Sequence, residues 1–418
     1  MTFKNLNLDP KILQAVERLG YKEPTLIQEK AIPEVLNNKD LFASAQTGTG
    51  KTAAFLLPAL NKLVKNPFAK GRGPRVLVLV PTRELAMQVA REAITYSKYL
   101  KNVKTVCIYG GVPYPQQRRD LSRPYEILVA TPGRLIDHLQ SGRIKFSRVE
   151  MFILDEADRM LDMGFIDPVN QIANAIEQKH QTLLFSATLK DSILNLVKNI
   201  LKEPIKIKIP IDKTNIEQKV EFVRNLEHKI ELLEKILEDD TIKQAIIFTS
   251  TKHFADELKD RLQEKAHRAK ALHGDIPQSK RTRTINQFRE GKIRLLIATD
   301  VAARGIDIAK ISHIINFDLP STLDDYIHRI GRTGRIGKKG LALSFASSKD
   351  RKLIPELERF IGQKIASFNT FQKKKPSKKF SKNFKKDSKK GFKQGFKKRD
   401  KFSFSKSKSF KNNKVKRK

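Results

Sequence analysis

An apolar run, Met151–Leu154, ends at once in Asp155-Glu156-Ala157-Asp158. Carboxylates at the end of a buried strand can hold a divalent cation and activate water. Far upstream lies a glycine-rich loop, Ala45-Gln46-Thr47-Gly48-Thr49-Gly50-Lys51-Thr52. It follows the phosphate-loop pattern G-x-x-x-x-G-K-[ST], with Ala45 at the first glycine position. Gly48 and Gly50 let backbone N–H groups approach phosphate, Lys51 neutralises the β/γ oxygens, and Thr52 offers a hydroxyl to Mg²⁺. Asp155 is then the natural partner of Mg²⁺, and Glu156 is placed to orient or deprotonate the attacking water. An acidic pair alone would equally serve as a helix N-terminal cap. The loop upstream favours an ATP site.

A second constellation occupies Ser321–Ile336. Ser321 and Asp324 fit an N-cap and its N3 carboxylate. The helix that follows would carry His328, Arg332 and Arg335 on one face, at i, i+4 and i+7. Gly331 and Gly334 would interrupt it, each at about 1 kcal/mol relative to alanine, which suggests close approach to a ligand. Arginines on such a face suit fingers that reach a γ-phosphate. The residue types fit a solvated basic face equally well.

These groups need elements to hold them. Short β-branched or Leu-rich runs recur, each closed by polar or glycine residues: Val76–Val80, Ile127–Val129, Met151–Leu154 and Leu183–Phe185. Helical patterns such as Glu84–Leu100 fill the gaps. Strands alternating with helices imply an α/β fold with parallel sheets, whose ligands sit beyond the carboxyl ends of the strands. The pattern restarts with Ala245–Phe248, Leu295–Ala298, Ile314–Phe317 and Leu341–Phe345. Pro204–Gln218 between the two sets reads as a domain end and linker. Two tandem domains result, 1–209 and 217–368, joined by 210–216, with a cleft between their loop faces.

The formal net charge of the 418 residues is +38. A polyanionic partner follows, nucleic acid before anionic membrane. Residues 371–418 hold 22 Lys/Arg against Asp387 and Asp400, so the remainder of the chain is basic too. From 369 onward the chain is Lys, Ser, Asn and Gly with isolated phenylalanines, eight of them from Phe371 to Phe410. It has no structural period and is expected to be disordered alone. Its lysines suit phosphates and its rings suit unpaired bases, although a solubilising or lipid-binding tail has the same composition. Cys107 is the only cysteine, which fits a reducing, cytoplasmic setting. No apolar stretch is long enough to span a membrane, and the N-terminus has no apolar leader.

In order along the chain, these motifs resemble the DEAD-box ATP-dependent RNA helicases. The resemblance covers about residues 1–366. Gly20-Tyr21-Lys22-Glu23-Pro24-Thr25-Leu26-Ile27-Gln28 resembles the adenine-reading Q motif, with Phe3 upstream. Then come Ala45–Thr52 (Walker A), Pro81–Leu85, Gly110-Gly111, Thr131–Arg134, Asp155–Asp158 and Ser186–Thr188. The second half supplies Ile246–Phe248, His273–Asp275 with Gln278 and Arg281, Ala298–Asp307 and His328–Arg335. Thr251-Lys252-His253 and the short segment before Phe3 look most like the bacterial RhlE-type branch.

The resemblance implies two RecA-like domains, with ATP and Mg²⁺ as cofactors. Gln28 would read the adenine edge, Phe3 would pack on the base and Asp307 would meet the ribose. Arg332 and Arg335 would reach the γ-phosphate, and Ser186, Thr188 and His328 would couple ATP state to RNA state. RNA would be held by Arg83, Gly111, Thr131 and Arg134 on one domain, and by Gln278, Arg281, Thr299 and Arg304 on the other. Such groups suit sugar-phosphate rather than base edges, and 2′-OH contacts favour RNA over DNA. The expected function is local unwinding of short RNA duplexes or remodelling of ribosomal or messenger ribonucleoproteins. The alternatives are an ATP-gated RNA clamp or annealing chaperone and, further off, a DNA translocase.

Overall fold

Fourteen short strands among the described residues, most of them four residues long, organise the chain in the computed structural model. The structure describes residues 1–46, 48–67, 73–210, 216–239, 241–303, 311–334, 339–361 and 364–367. The first seven strands are β1 (Leu41–Ser44), β2 (Val76–Leu79), β3 (Thr105–Ile108), β4 (Ile127–Ala130), β5 (Met151–Leu154), β6 (Gln181–Ser186) and β7 (Ile205–Lys208). They form one parallel sheet in the order β3-β4-β2-β5-β6-β1-β7. The second seven are β8 (Ile216–Phe222), β9 (Ala245–Phe248), β10 (Ala269–Leu272), β11 (Leu295–Ala298), β12 (His313–Asn316), β13 (Gly340–Ala346) and β14 (Ala366–Ser367). Their order is β10-β11-β9-β12-β13-β8-β14, again parallel.

Near-continuous apolar strands are what a sheet covered on both faces requires. Successive side chains point to opposite faces. Val78 and Ile153 accordingly join one core cluster, while Leu77, Leu79, Phe152 and Leu154 join another. The second sheet repeats the division, with Ile246 and Phe248 on one side and Ala245 and Ile247 on the other.

The topology gathers the polar loops. β5 pairs with β6 and β6 with β1, so the loops after β1, β6 and β5 lie side by side at the carboxyl edge. Lys51 follows the first of these loops, Ser186 ends β6, and Asp155 begins the loop after β5.

The segment read as a linker contains strands. Ile205–Lys208 pairs with β1, and Ile216 already belongs to β8. Only Ile207 of β7 is buried, so this edge strand carries little apolar signal, and Pro204 and Pro210 on either side mask it further. The residues between, 211–215, lie outside those described.

Candidate functional site

A cavity of about 390 Å³ opens between the phosphate loop, the Gly20–Gln28 segment and β5. Helix Lys51–Lys65 begins at the loop, where Gly50 adopts φ +92°. A Cβ there would fall 2.4 Å from Nε2 of Gln28. Gln28 in turn donates from Nε2 to the Gly50 carbonyl at 3.0 Å and accepts the Thr25 N–H at Oε1. The Gly20–Gln28 segment is thereby tied to the phosphate loop. Phe3 is buried and stacks on Tyr21 with centroids 6.4 Å apart. Tyr21, 42% exposed, lines the cavity beside it.

Lys51 donates to the Ala45 carbonyl at 3.0 Å, and its Nζ stands 4.0 Å from Asp155. Asp155 is buried, and burial pushes its carboxyl up to about 6 against the pull of Lys51. Glu156 occupies the left-handed region at φ 53°, a conformation that costs a non-glycine residue about 1–3 kcal/mol and clusters at functional sites. It caps the short helix Ala157–Asp162 from that position.

Asp158 gathers the backbone of Ala187 and Thr188 and the His328 ring around one carboxylate. Its Oδ2 accepts the N–H groups of Ala187 and Thr188 at 3.0 and 3.1 Å, while Ser186 Oγ donates to the Thr188 carbonyl at 2.7 Å. His328 of the second sheet domain stands 3.7 Å from the same Oδ2. Burial raises the Asp158 carboxyl. Thr188 Oγ1 is buried without a hydrogen-bond partner.

Arg332 comes from the second sheet domain yet lines the nucleotide cavity with Asp155 and Glu156. It is buried, and burial lowers its guanidinium while Glu156 opposes that shift. The helix before it differs from the expected one. It spans Leu323–Ile330 and is capped by Thr322 rather than Ser321: Thr322 Oγ1 accepts the Asp325 N–H at 3.1 Å and donates to Asp325 Oδ2 at 2.8 Å, so Asp325 rather than Asp324 is the N3 carboxylate. Gly331 ends the helix instead of interrupting it, so Arg332 projects from a turn. Arg335, Arg304 and Asp307 lie outside the described residues, as does the 371–418 tail.

Seven of the eight proposed RNA-holding residues lie among those described. Gly111 has φ +81°, and a Cβ there would meet Arg83 Nη1 at 2.4 Å. Thr131 caps helix Pro132–Gln140. Arg134 donates to the Val112 carbonyl at 2.8 Å and to Gln117 at 3.0 Å. Thr299 precedes helix Asp300–Ala303. Gln278 and Arg281 open helix Gln278–Arg289, and both donate to Glu84 across the cleft, each at 3.1 Å.

Sequence reasoning missed that grip. It also missed Arg159 to Asp325 at 2.6 Å, Lys190 to Asp324 at 2.8 Å, and the cavity wall of Gln88, Glu92 and Tyr96. The wall had a signal, since Leu85, Gln88, Glu92 and Tyr96 repeat at helical spacing.

A nucleotide cavity built by one parallel-sheet domain and completed by an arginine of a second defines an enzyme of the tandem RecA-like class, driven by nucleotide. The DEAD/DEAH box helicase family matches residues 25–196, and the helicase conserved C-terminal domain matches 228–337. The chain is 41% identical to the ATP-dependent RNA helicase RhlB of Shewanella baltica, over 88% of this chain and 85% of that one. It is 42% identical to the DEAD-box ATP-dependent RNA helicase RhpA of Helicobacter pylori, over 88% and 74%. The chain belongs to the DEAD-box helicase family.

Among solved structures it is similar to S. cerevisiae Dbp5 bound to RNA and ADP BeF3, with TM-score 0.79 and 32% identity over 88% of this chain and 95% of that one. Mss116p bound to ssRNA and AMP-PNP gives 0.81 and 32%, over 88% and 79%. A DEAD box protein of Methanococcus jannaschii is 41% identical over 88% and 99% but gives only 0.53. The chain thus superimposes better on the two RNA- and nucleotide-bound structures than on this more similar sequence.

Proposed function

We propose that this protein is an ATP-dependent RNA helicase that grips single-stranded RNA by its sugar-phosphate backbone and opens short duplexes or remodels ribonucleoproteins. The observation that carries the reading is Arg332 of the second sheet domain lining one cavity with Lys51, Asp155 and Glu156 of the first. Hydrolytic competence then depends on closure of the cleft. ATP and RNA jointly favour the closed state, and loss of the γ-phosphate releases it.

In this reading Gln28 and Phe3 hold the base end, Gly48, Gly50 and Lys51 hold the phosphates, and Glu156 orients water. Mg²⁺ would be held by Thr52 and Asp155. The donor set fits, because Asp155 is a buried carboxyl facing the phosphate loop. Among the described residues no group of three or more His, Cys, Asp or Glu could hold a metal. A cation here would lean on phosphate and water oxygens, which is how Mg²⁺ is usually bound. It would neutralise charge on the transferred phosphoryl group.

Arg83, Gly111, Thr131 and Arg134 of the first domain and Gln278, Arg281, Thr299 and Arg304 of the second would be the RNA-holding set. The functional division is 1–209, 210–216, 217–368 and a tail from 369 that adds RNA contacts. Ribosomal or messenger ribonucleoproteins are the partner class. Thr251-Lys252-His253 supports the RhlE-type branch, and the lone Cys107 supports a cytoplasmic setting. No helix among the described residues is long and apolar enough to cross a membrane.

The test is ATP turnover with and without single-stranded RNA. Lys51→Ala abolishes turnover, and Glu156→Gln traps the closed RNA complex; a full ATPase rate in the latter would mean that Glu156 does not orient the attacking water. Strand displacement on blunt and tailed duplexes separates an unwinder from a clamp.

A further inference from the structure

The RNA-holding groups on the rim read only backbone. Beside them lies an aromatic ring, braced by Arg134, that has no part in that backbone grip. Tyr114 follows Gly111 by three residues, between Pro113 and Pro115, and begins helix Tyr114–Ser122. It is 39% exposed. Its hydroxyl donates to Asp137 Oδ2 at 2.7 Å, so the ring is held at both ends, by its backbone and by its tip. The Arg134 guanidinium lies 4.0 Å from the ring centroid, and Arg118 lies 6.0 Å from it. The His138 ring meets it edge-on at 5.5 Å. Arg134 also bonds the Val112 carbonyl, next to Gly111. The tyrosine, two arginines and the glycine turn therefore form one continuous rim.

We infer that Tyr114 is a nucleobase-stacking subsite for single-stranded RNA, set beside the backbone grip, with Arg134 bracing the ring and the exposed Arg118 holding a flanking phosphate. An exposed ring fixed at its tip and set beside cations is the combination that holds unpaired bases without reading their sequence. The inference rests on the RNA-helicase reading. It adds a base contact to a surface otherwise built for sugar-phosphate, and it sets where along the RNA a base must be unpaired.

The experiment uses the full chain and a short single-stranded oligo-uridine, intact or with one base removed at successive positions. Wild type should lose on the order of five- to tenfold in affinity when one particular base is missing. Tyr114→Ala should bind intact and abasic strands alike at that position while still unfolding in one cooperative transition. Tyr114→Phe, which keeps the ring and loses the hydroxyl, should retain most of the difference. If Tyr114→Ala shows the same positional loss as wild type, or if Tyr114→Phe erases it as fully as alanine does, the stacking subsite is wrong. If wild type binds no RNA at all, the helicase reading falls as well.

Discussion

Arg281 reaches across the cleft to Glu84, Nη2 to Oε1 at 2.9 Å, with both side chains at 11% exposure or less. One is the fourth residue of a helix in the second sheet domain, and the other is the second residue of a helix in the first. Gln278 bonds the same carboxylate oxygen, so three side chains fasten the domains beside the RNA rim. A buried pair loses much more when one partner is removed than when both are. Glu84→Ala and Arg281→Ala should each lower RNA-stimulated turnover about tenfold, and the double variant should be no worse than either single. A double-mutant cycle on the apparent RNA affinity should give a coupling of about 1–3 kcal/mol; additive losses would show that Arg281 acts on RNA alone.

A second fastening sits further along the cleft. Arg159 pairs with Asp325, and Lys190 with Asp324, while Asp162 touches both cations. Arg159 is buried and Lys190 is 40% exposed, so salt should screen the second pair and spare the first. Dyes placed across the cleft should report closure that weakens modestly with salt in wild type. Lys190→Ala should flatten that dependence, and Asp325→Asn should open the cleft at every salt concentration.

The Asp155 carboxyl, with Lys51, Glu156 and Asp158 around it, stands at about 6 against an ordinary value of 3.8. Between those values the folded state binds more protons at this group than the unfolded state. The group's contribution to stability therefore falls as pH rises from about 4 to about 6, and stays low above that. At neutral pH, Asp155→Asn should stabilise the nucleotide-free protein by up to roughly 3 kcal/mol while abolishing turnover. Denaturant titration at pH 7.5 checks this; a destabilised variant would contradict the burial argument. Cation binding needs the ionised form, so affinity for Mg²⁺–ATP should drop as pH falls below about 6.

Gly50 and Gly111 are each held at positive φ with a side chain where their Cβ would be. Gly50→Ala should displace Gln28 and weaken nucleotide binding more than tenfold, read with a fluorescent ATP analogue. Gly111→Ala should displace Arg83 instead, leaving nucleotide affinity near wild type and lowering RNA affinity.

Removing 371–418, with its 22 Lys/Arg, should weaken RNA binding and flatten its dependence on salt. Unchanged affinity at both low and physiological salt would leave the tail without an RNA role.

Much of the fold was readable because buried parallel strands are uniformly apolar and end in polar loops. Met151–Leu154 and Ala245–Phe248 match their strands residue for residue. Edge strands escaped, because a strand such as Ile205–Lys208 with three exposed residues in four carries little hydrophobic signal. Cap positions slipped by one residue at Ser321 and Thr322, since neighbouring hydroxyls are chemically equal and only the backbone chooses between them.

That Lys51, Asp155 and Glu156 belong to one site was legible from residue type and spacing, and the structure sets all three on one cavity. The roles of Glu84, Arg281, Arg159 and Asp325 were not legible. Glu84 and Arg281 lie 197 residues apart in the chain, and no local rule pairs them. Only the packing of two separately folded sheets sets one beside the other, and that packing also brings Arg332 to the cavity that Asp155 and Glu156 line.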